Sequence, residues 1–213
     1  MRAGWARELL AALLIAAAAA LACSPAMARN DTPRTDTPHA GRWQWLAHTY
    51  WYVPRANLLA LASSPARKTP VPVSDQTVYY ISDYAGGYFW GTTAVSYTRP
   101  GGSAASGQVS CLQLVGSVTP EGNVHLTFTP ISAKPAGSGS SDSEPTIGLG
   151  TMTRQAYEWT MENQMSTIAA GNLLLTHWAY MYQCKPGQPC FAALPGAWVS
   201  VPEFLAPCVQ GGG

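Results

Sequence analysis

A single histidine, His177, interrupts an apolar alternation and is the polar residue best placed for chemistry inside a fold. Its side of the segment also carries Leu173, Leu175, Ala179 and Met181. This period of two residues is typical of one face of a β-strand. A histidine on such a face is usually a hydrogen-bonded core residue, but it anchors a ligand where the face lines a cavity. We therefore expect His177 either to orient a bound ligand or to be satisfied within the core.

The carboxylates that could work with His177 are Glu158, Glu162 and Asp83. Glu158 and Glu162 share a strand face, but residues four apart on a strand are separated by about 13 Å, too far for a glycosidase pair. Solvent-exposed positions are the simpler interpretation. The sequence contains no nucleophile elbow, zinc-protease helix, phosphate loop or dinucleotide motif. We assign no catalytic residue and no cofactor, and a hydrolase or isomerase using a carboxylate–His pair remains an alternative.

Four cysteines beyond residue 28 predict two disulfides, since an even set in an exported chain is usually paired. Cys184 and Cys190 bracket a tight Lys-Pro-Gly-Gln-Pro loop, which favours their pairing and leaves Cys111 for Cys208. Other connectivities remain open. The spacing matches no zinc pattern, so we expect no metal site.

The first 28 residues have the features of a secretory signal peptide. Arg2 and Arg7 precede the apolar run 9–23, and Ala26-Met27-Ala28 supplies a small-x-small cleavage pattern. The run is too short for the roughly 20 residues of a membrane-spanning helix. We expect a periplasmic or secreted protein, with a lipoprotein anchored through Cys23 as the alternative. The chain has a net charge of +1 and scattered basic residues, which argues against a nucleic-acid partner.

Beyond a polar lead-in at 29–40, the spacing of bulky residues predicts a single β domain over 41–208. A low-complexity segment at 133–145 should be a mobile loop, and 209–213 a Gly-rich tail. The predicted strands are 43–53, 77–84, 88–97, 109–119, 124–130, 146–154, 157–167 and 173–182, with a further short strand or turn at 57–63. Short turns join most of them, and no long helix is indicated. We predict an all-β, antiparallel up-and-down barrel of seven or eight strands, with a two-sheet β-sandwich as the alternative.

Two tripeptides carry a family resemblance. Gly41-Arg42-Trp43 resembles the Gly-x-Trp opening of lipocalins and their calycin relatives, and Ser82-Asp83-Tyr84 resembles a second lipocalin signature, Thr-Asp-Tyr. The resemblance implies a calycin-like barrel in which Trp43 closes the floor beneath a ligand.

The leading functional hypothesis is a non-catalytic exported barrel that binds a small, largely apolar ligand. Trp43, Trp90 and Trp159 would line its walls and His177 would orient the ligand. A different interpretation starts from the aromatic segment 43–52, whose two faces both carry Trp or Tyr. Such a surface also suits docking onto a protein of the cell envelope.

Overall fold

The computed structural model describes residues 41–66, 69–98, 109–131, 145–156, 158–169 and 173–209. The expected signal peptide, Cys23, the lead-in at 29–40, and nearly all of the predicted 133–145 loop and 209–213 tail lie outside the described residues. The described residues contain nine strands: β1 Thr49–Tyr52, β2 Leu59–Ser63, β3 Val71–Ala85, β4 Tyr88–Thr98, β5 Ser110–Val118, β6 Asn123–Pro130, β7 Thr146–Gln155, β8 Glu158–Ala169 and β9 Leu173–Cys184.

The sheet closes on itself, which confirms the predicted antiparallel barrel. Strands β3 to β9 pair with their chain neighbours, and β1 and β2 both pair with β3 and with β9. Because β1 and β2 occupy the same strand position between β3 and β9, the nine strands form an eight-stranded barrel. The β-sandwich alternative is wrong, since the strands of the described residues form one sheet whose hydrogen bonding runs around the whole ring.

The hairpins follow the turn chemistry of the sequence. Gly86 and Gly87 join β3 to β4 with φ of 58° and 94°, and Gly122 joins β5 to β6 with φ of 100°. Positive φ is accessible to glycine without steric cost. Strand β3 begins at Val71, six residues before the predicted start at 77.

The predicted strand at 43–53 is only partly correct. Gln44–Leu46 forms a 3-10 turn, His48 has a positive φ of 61°, and β1 begins at Thr49. The reason is tertiary. The indole Nε1 of Trp43 donates to the Thr119 carbonyl at 2.9 Å, and Leu46 is fully buried, so this segment folds across the barrel end instead of along its wall.

Side chains on the inner face of the strands form the main core of the barrel. The main core includes Trp51, Ile81, Phe89, Leu114, Phe128 and Met161, all 2% exposed or less. A core this apolar supplies most of the stability of a domain of this size.

The segment after β9 covers part of the outer surface. It contains α1 Pro189–Ala192 and α2 Val201–Val209, and it packs a second core on outward-facing Val78 and Ala94. Disulfides Cys184–Cys190 and Cys111–Cys208 hold its two ends, the pairing favoured from the sequence.

Helix α2 was not predicted, because Pro202 and Pro207 argue against a helix. Ser200 and Glu203 nevertheless form a reciprocal capping box at its start. Among the described residues, no helix has the length and apolarity needed to span a bilayer.

Candidate functional site

A buried ion pair lies inside the barrel at the gap between β1 and β2. His177 of β9 places Nδ1 2.7 Å from Oδ2 of Asp75 on β3, and both side chains are 5% exposed or less. Residues 53–58 separate β1 from β2 at this point. Their backbone serves the pair directly: the Asn57 carbonyl lies 2.8 Å from His177 Nε2, and the Leu58 carbonyl accepts the Asp75 amide.

The two neighbours of the imidazole determine its charge. A carbonyl oxygen can only accept a hydrogen bond, so Nε2 carries a proton and donates to Asn57. A proton on Nδ1 as well makes a charge-assisted hydrogen bond to the Asp75 carboxylate. Burial lowers the pKa of His177, but the hydrogen bond and charge of Asp75, together with the Asn57 carbonyl, outweigh it and raise that pKa above 6.5. The contacts at both ring nitrogens favour an imidazolium–carboxylate pair.

This geometry leaves His177 without a nitrogen for a ligand or a substrate. Both ring nitrogens bond to the chain itself, and a protonated imidazole is not a general base. The arrangement therefore favours a supporting role for His177, in which it fixes and neutralises Asp75. The expected direct contact with a ligand has no support in the hydrogen bonds of this residue.

Two hydroxyl groups deeper in the barrel lack partners. Tyr79 on β3 and Thr93 on β4 are directly opposed across the strand pair, and both are 0% exposed. Neither Tyr79 Oη nor Thr93 Oγ1 has a hydrogen-bond partner among the described residues, and the same is true of Asn163 Oδ1. Buried polar atoms in folded proteins are almost always paired, so these three atoms are unusual for a packed core.

Asp75 governs the electrostatics of this polar region. Its Oδ1 accepts from the Thr77 hydroxyl at 2.6 Å, and Tyr97 faces it across the β3–β4 pair. Burial, and secondarily the Asp75 charge, raise the pKa of Tyr79 well above 10 and raise that of Tyr97 as well. Both phenols remain protonated at neutral pH, so each can donate as well as accept.

Two of the expected wall residues, Trp43 and Trp159, meet at one end of the barrel. Their ring centroids are 5.0 Å apart, and Trp45 stacks on Trp159 at 5.7 Å. Arg42 lies over Trp43 at 5.2 Å, and its guanidinium donates to the Pro120 carbonyl. These rings close the end of the barrel and are packed against one another, so they form a floor.

Trp90 does not belong to the aromatic cluster of Trp43, Trp45 and Trp159. It is 39% exposed on the outer face, because its neighbour Phe89 takes the inward position and strand residues alternate. The prediction that Trp90 lines the interior is therefore not met by its position.

The carboxylates proposed as partners of His177 also lie elsewhere. Glu162 accepts from the Trp178 indole at 2.9 Å on the outer face, Glu158 is exposed, and Asp83 accepts from the Tyr84 amide. Sequence reasoning missed Asp75, although one signal was present: Asp75, Thr77 and Tyr79 share a face with Ile81, which puts polar groups at core-facing positions.

Within the described part of the chain, no group of three or more His, Cys, Asp or Glu residues is arranged to hold a metal ion. Comparisons with protein-family models, with curated proteins and with solved structures found no match to this chain.

Proposed function

We propose that this protein is a non-catalytic barrel that binds a small, largely apolar ligand, whose polar group meets the hydroxyls of Tyr79 and Thr93. The observation that carries the proposal is the pair of fully buried hydroxyls, opposed on β3 and β4 and without partners among the described residues. An unpaired buried hydroxyl costs about 1–3 kcal/mol, which a ligand atom would offset. An eight-stranded barrel is wide enough for its own side chains or for one small ligand.

The barrel end near Trp43 is closed by aromatic rings. A tryptophan floor under such a site is also the arrangement implied by the resemblance to calycins.

Export is part of the proposal. Two disulfides are typical of an oxidising compartment, and they agree with the signal peptide expected from the sequence. The periplasm or the exterior is the proposed location.

The enzyme alternative loses its main support. A carboxylate–His pair is present, but His177 has no free ring nitrogen, and Asp75 is engaged by His177 and Thr77. Proton transfer to a substrate would require these bonds to break.

A second candidate function, docking onto an envelope protein, draws on a different observation. The outer face carries exposed Ile147 and Leu149 on β7 and Trp178 on β9, which are 63%, 54% and 47% exposed. Exposed apolar groups on one side of a domain are a common feature of interaction surfaces.

Native mass spectrometry of the full chain, purified without detergent from its own cells, tests the proposal. We expect an added small-molecule mass that is lost from the Tyr79→Phe/Thr93→Val double variant. It should be retained by Thr127→Val, because Thr127 is exposed on the outside of β6. No added mass, or an added mass that the double variant retains, would contradict the proposal, and a co-purifying protein would favour the docking function.

A further inference from the structure

The charges inside the barrel restrict the ligand that it can take. Of the charged side chains that the structure describes, only Asp75 and its partner His177 are buried, and those outside the barrel wall, such as Arg42, Arg154 and Glu158, are exposed. The interior therefore holds one negative and one positive charge, 2.7 Å apart. From this balance we infer that the polar group of the ligand is uncharged: an alcohol, a ketone or an amide, and neither a carboxylate nor an ammonium group. The inference rests on the proposed function.

A charged group would have no opposite charge to meet. An anion beside Tyr79 would face the Asp75 carboxylate, which lies on the same strand face four residues away. A cation would have to share Asp75 with His177, which already bonds to Oδ2, while Thr77 bonds to Oδ1. Burial of an ion without its own counter-charge is strongly unfavourable.

The unpaired groups have the chemistry that a neutral ligand needs. Tyr79 and Thr93 present hydroxyls that can each donate and accept one or more hydrogen bonds. An alcohol can donate to and accept from such a hydroxyl, and a ketone or amide oxygen can accept from it. These hydrogen bonds require no charge on the ligand, which is consistent with the opposite charges of Asp75 and His177 beside them.

Isothermal titration of the intact, disulfide-bonded protein with octanol, octanoate and octylamine at pH 7 tests the inference, because the three probes share one alkyl chain. We expect octanol to bind at least about tenfold more tightly than the two charged probes. Tyr79→Phe and Thr93→Val should each weaken octanol binding by about five- to tenfold, the value of one neutral hydrogen bond. Thr127→Val should leave the binding of octanol unchanged.

Each other result is informative. Equal affinities, or tighter binding of octanoate or octylamine, would overturn the inference and leave the ligand-binding function standing. If none of the three probes bound, the inference would also fail, and the native mass measurement would decide separately on the function. Circular dichroism of each variant verifies that a lost affinity is not a lost fold.

Discussion

Asp75 and His177 form an ion pair across the strand position, occupied by β1 and β2, that separates β3 from β9. Strands β3 and β9 do not pair with each other; β1 and β2 stand between them. The pair forms at the gap between β1 and β2. There the Asn57 carbonyl accepts a hydrogen bond from His177, and the Leu58 carbonyl accepts one from the Asp75 amide. The ion pair thus takes over the connection between neighbouring strands at the point where regular sheet hydrogen bonding is interrupted.

The first prediction concerns pH. Because the folded-state pKa of His177 is raised above 6.5, its protonation stabilises the fold fully below pH 6.5. This contribution is lost as the pH rises through the folded-state pKa. We expect the free energy of unfolding in urea to fall over that range, and to do so less in His177→Gln.

At about pH 6 the same variant should be less stable than the wild type by about 3–5 kcal/mol, because it leaves the Asp75 carboxylate buried without its counter-charge. His125→Gln is the control, since His125 is exposed on the outside of β6. A stability difference between wild type and His177→Gln that does not change with pH would show that the pair is not titrating.

The second prediction compares two equally buried threonines. Thr93 has no hydrogen-bond partner among the described residues, whereas the Thr160 hydroxyl pairs with Thr153 Oγ1 at 2.7 Å. Thr93→Val should therefore leave the ligand-free protein equally stable or more stable, and Thr160→Val should destabilise it by about 1 kcal/mol. Thermal unfolding of the ligand-free protein measures the stability of both variants. Clear destabilisation by Thr93→Val would mean that this hydroxyl already has a partner.

The third prediction separates the aromatic residues by position. Trp43→Ala should cost about 3–5 kcal/mol, because it empties a fully packed site and removes the bond to Thr119. Trp90→Ala should cost about 1 kcal/mol or less, since the ring is partly in solvent. Urea titration of the two variants measures the difference, and similar losses would contradict the assignment of inner and outer faces.

The fourth prediction concerns the disulfides. Cys111–Cys208 closes a loop with a sequence separation of 97 and Cys184–Cys190 one of 6. On loop entropy alone, removal of the first pair should cost about 4.5 kcal/mol and removal of the second about 2 kcal/mol. Paired Cys→Ala variants, compared by denaturant unfolding, check this order. Loss of the first pair should also increase binding of a hydrophobic dye, because α2 would be free to leave Val78 and Ala94.

The architecture could be predicted because it depends on local patterns. Alternation of bulky residues identified seven hairpin strands, and Gly86-Gly87 stands at the turn between two of them with the positive φ that glycine permits. The 3-10 turn at 44–46 could not be predicted, because the contact that bends it, from Trp43 to Thr119, joins residues far apart in sequence. The helix at the C-terminal end was hidden by its prolines, although the Ser200–Glu203 capping box is readable in the sequence.

The polar site was less accessible to sequence reasoning. His177 was found because it breaks an apolar pattern, but its partner was not. Asp75 lies among other polar residues, Ser74, Gln76 and Thr77, and the face that it shares with Tyr79 and Ile81 is the one local sign that its carboxylate points inward. The direction of the Asp75 side chain becomes clear only in the closed barrel, where Asp75 is buried. The orphan hydroxyls of Tyr79 and Thr93 likewise become visible only when all their neighbours are in place.

The ring is completed by its first and last strands, β1–β2 and β9, and this order has a consequence for the newly made chain. A polypeptide that emerges amino terminus first cannot form the final seam until residue 184 is free. Until then β1–β2 and β8 are unpaired edges that can pair with other molecules. Synthesis of this protein should therefore depend on a holding chaperone, and a chain truncated before β9 should aggregate instead of persisting as a shorter barrel.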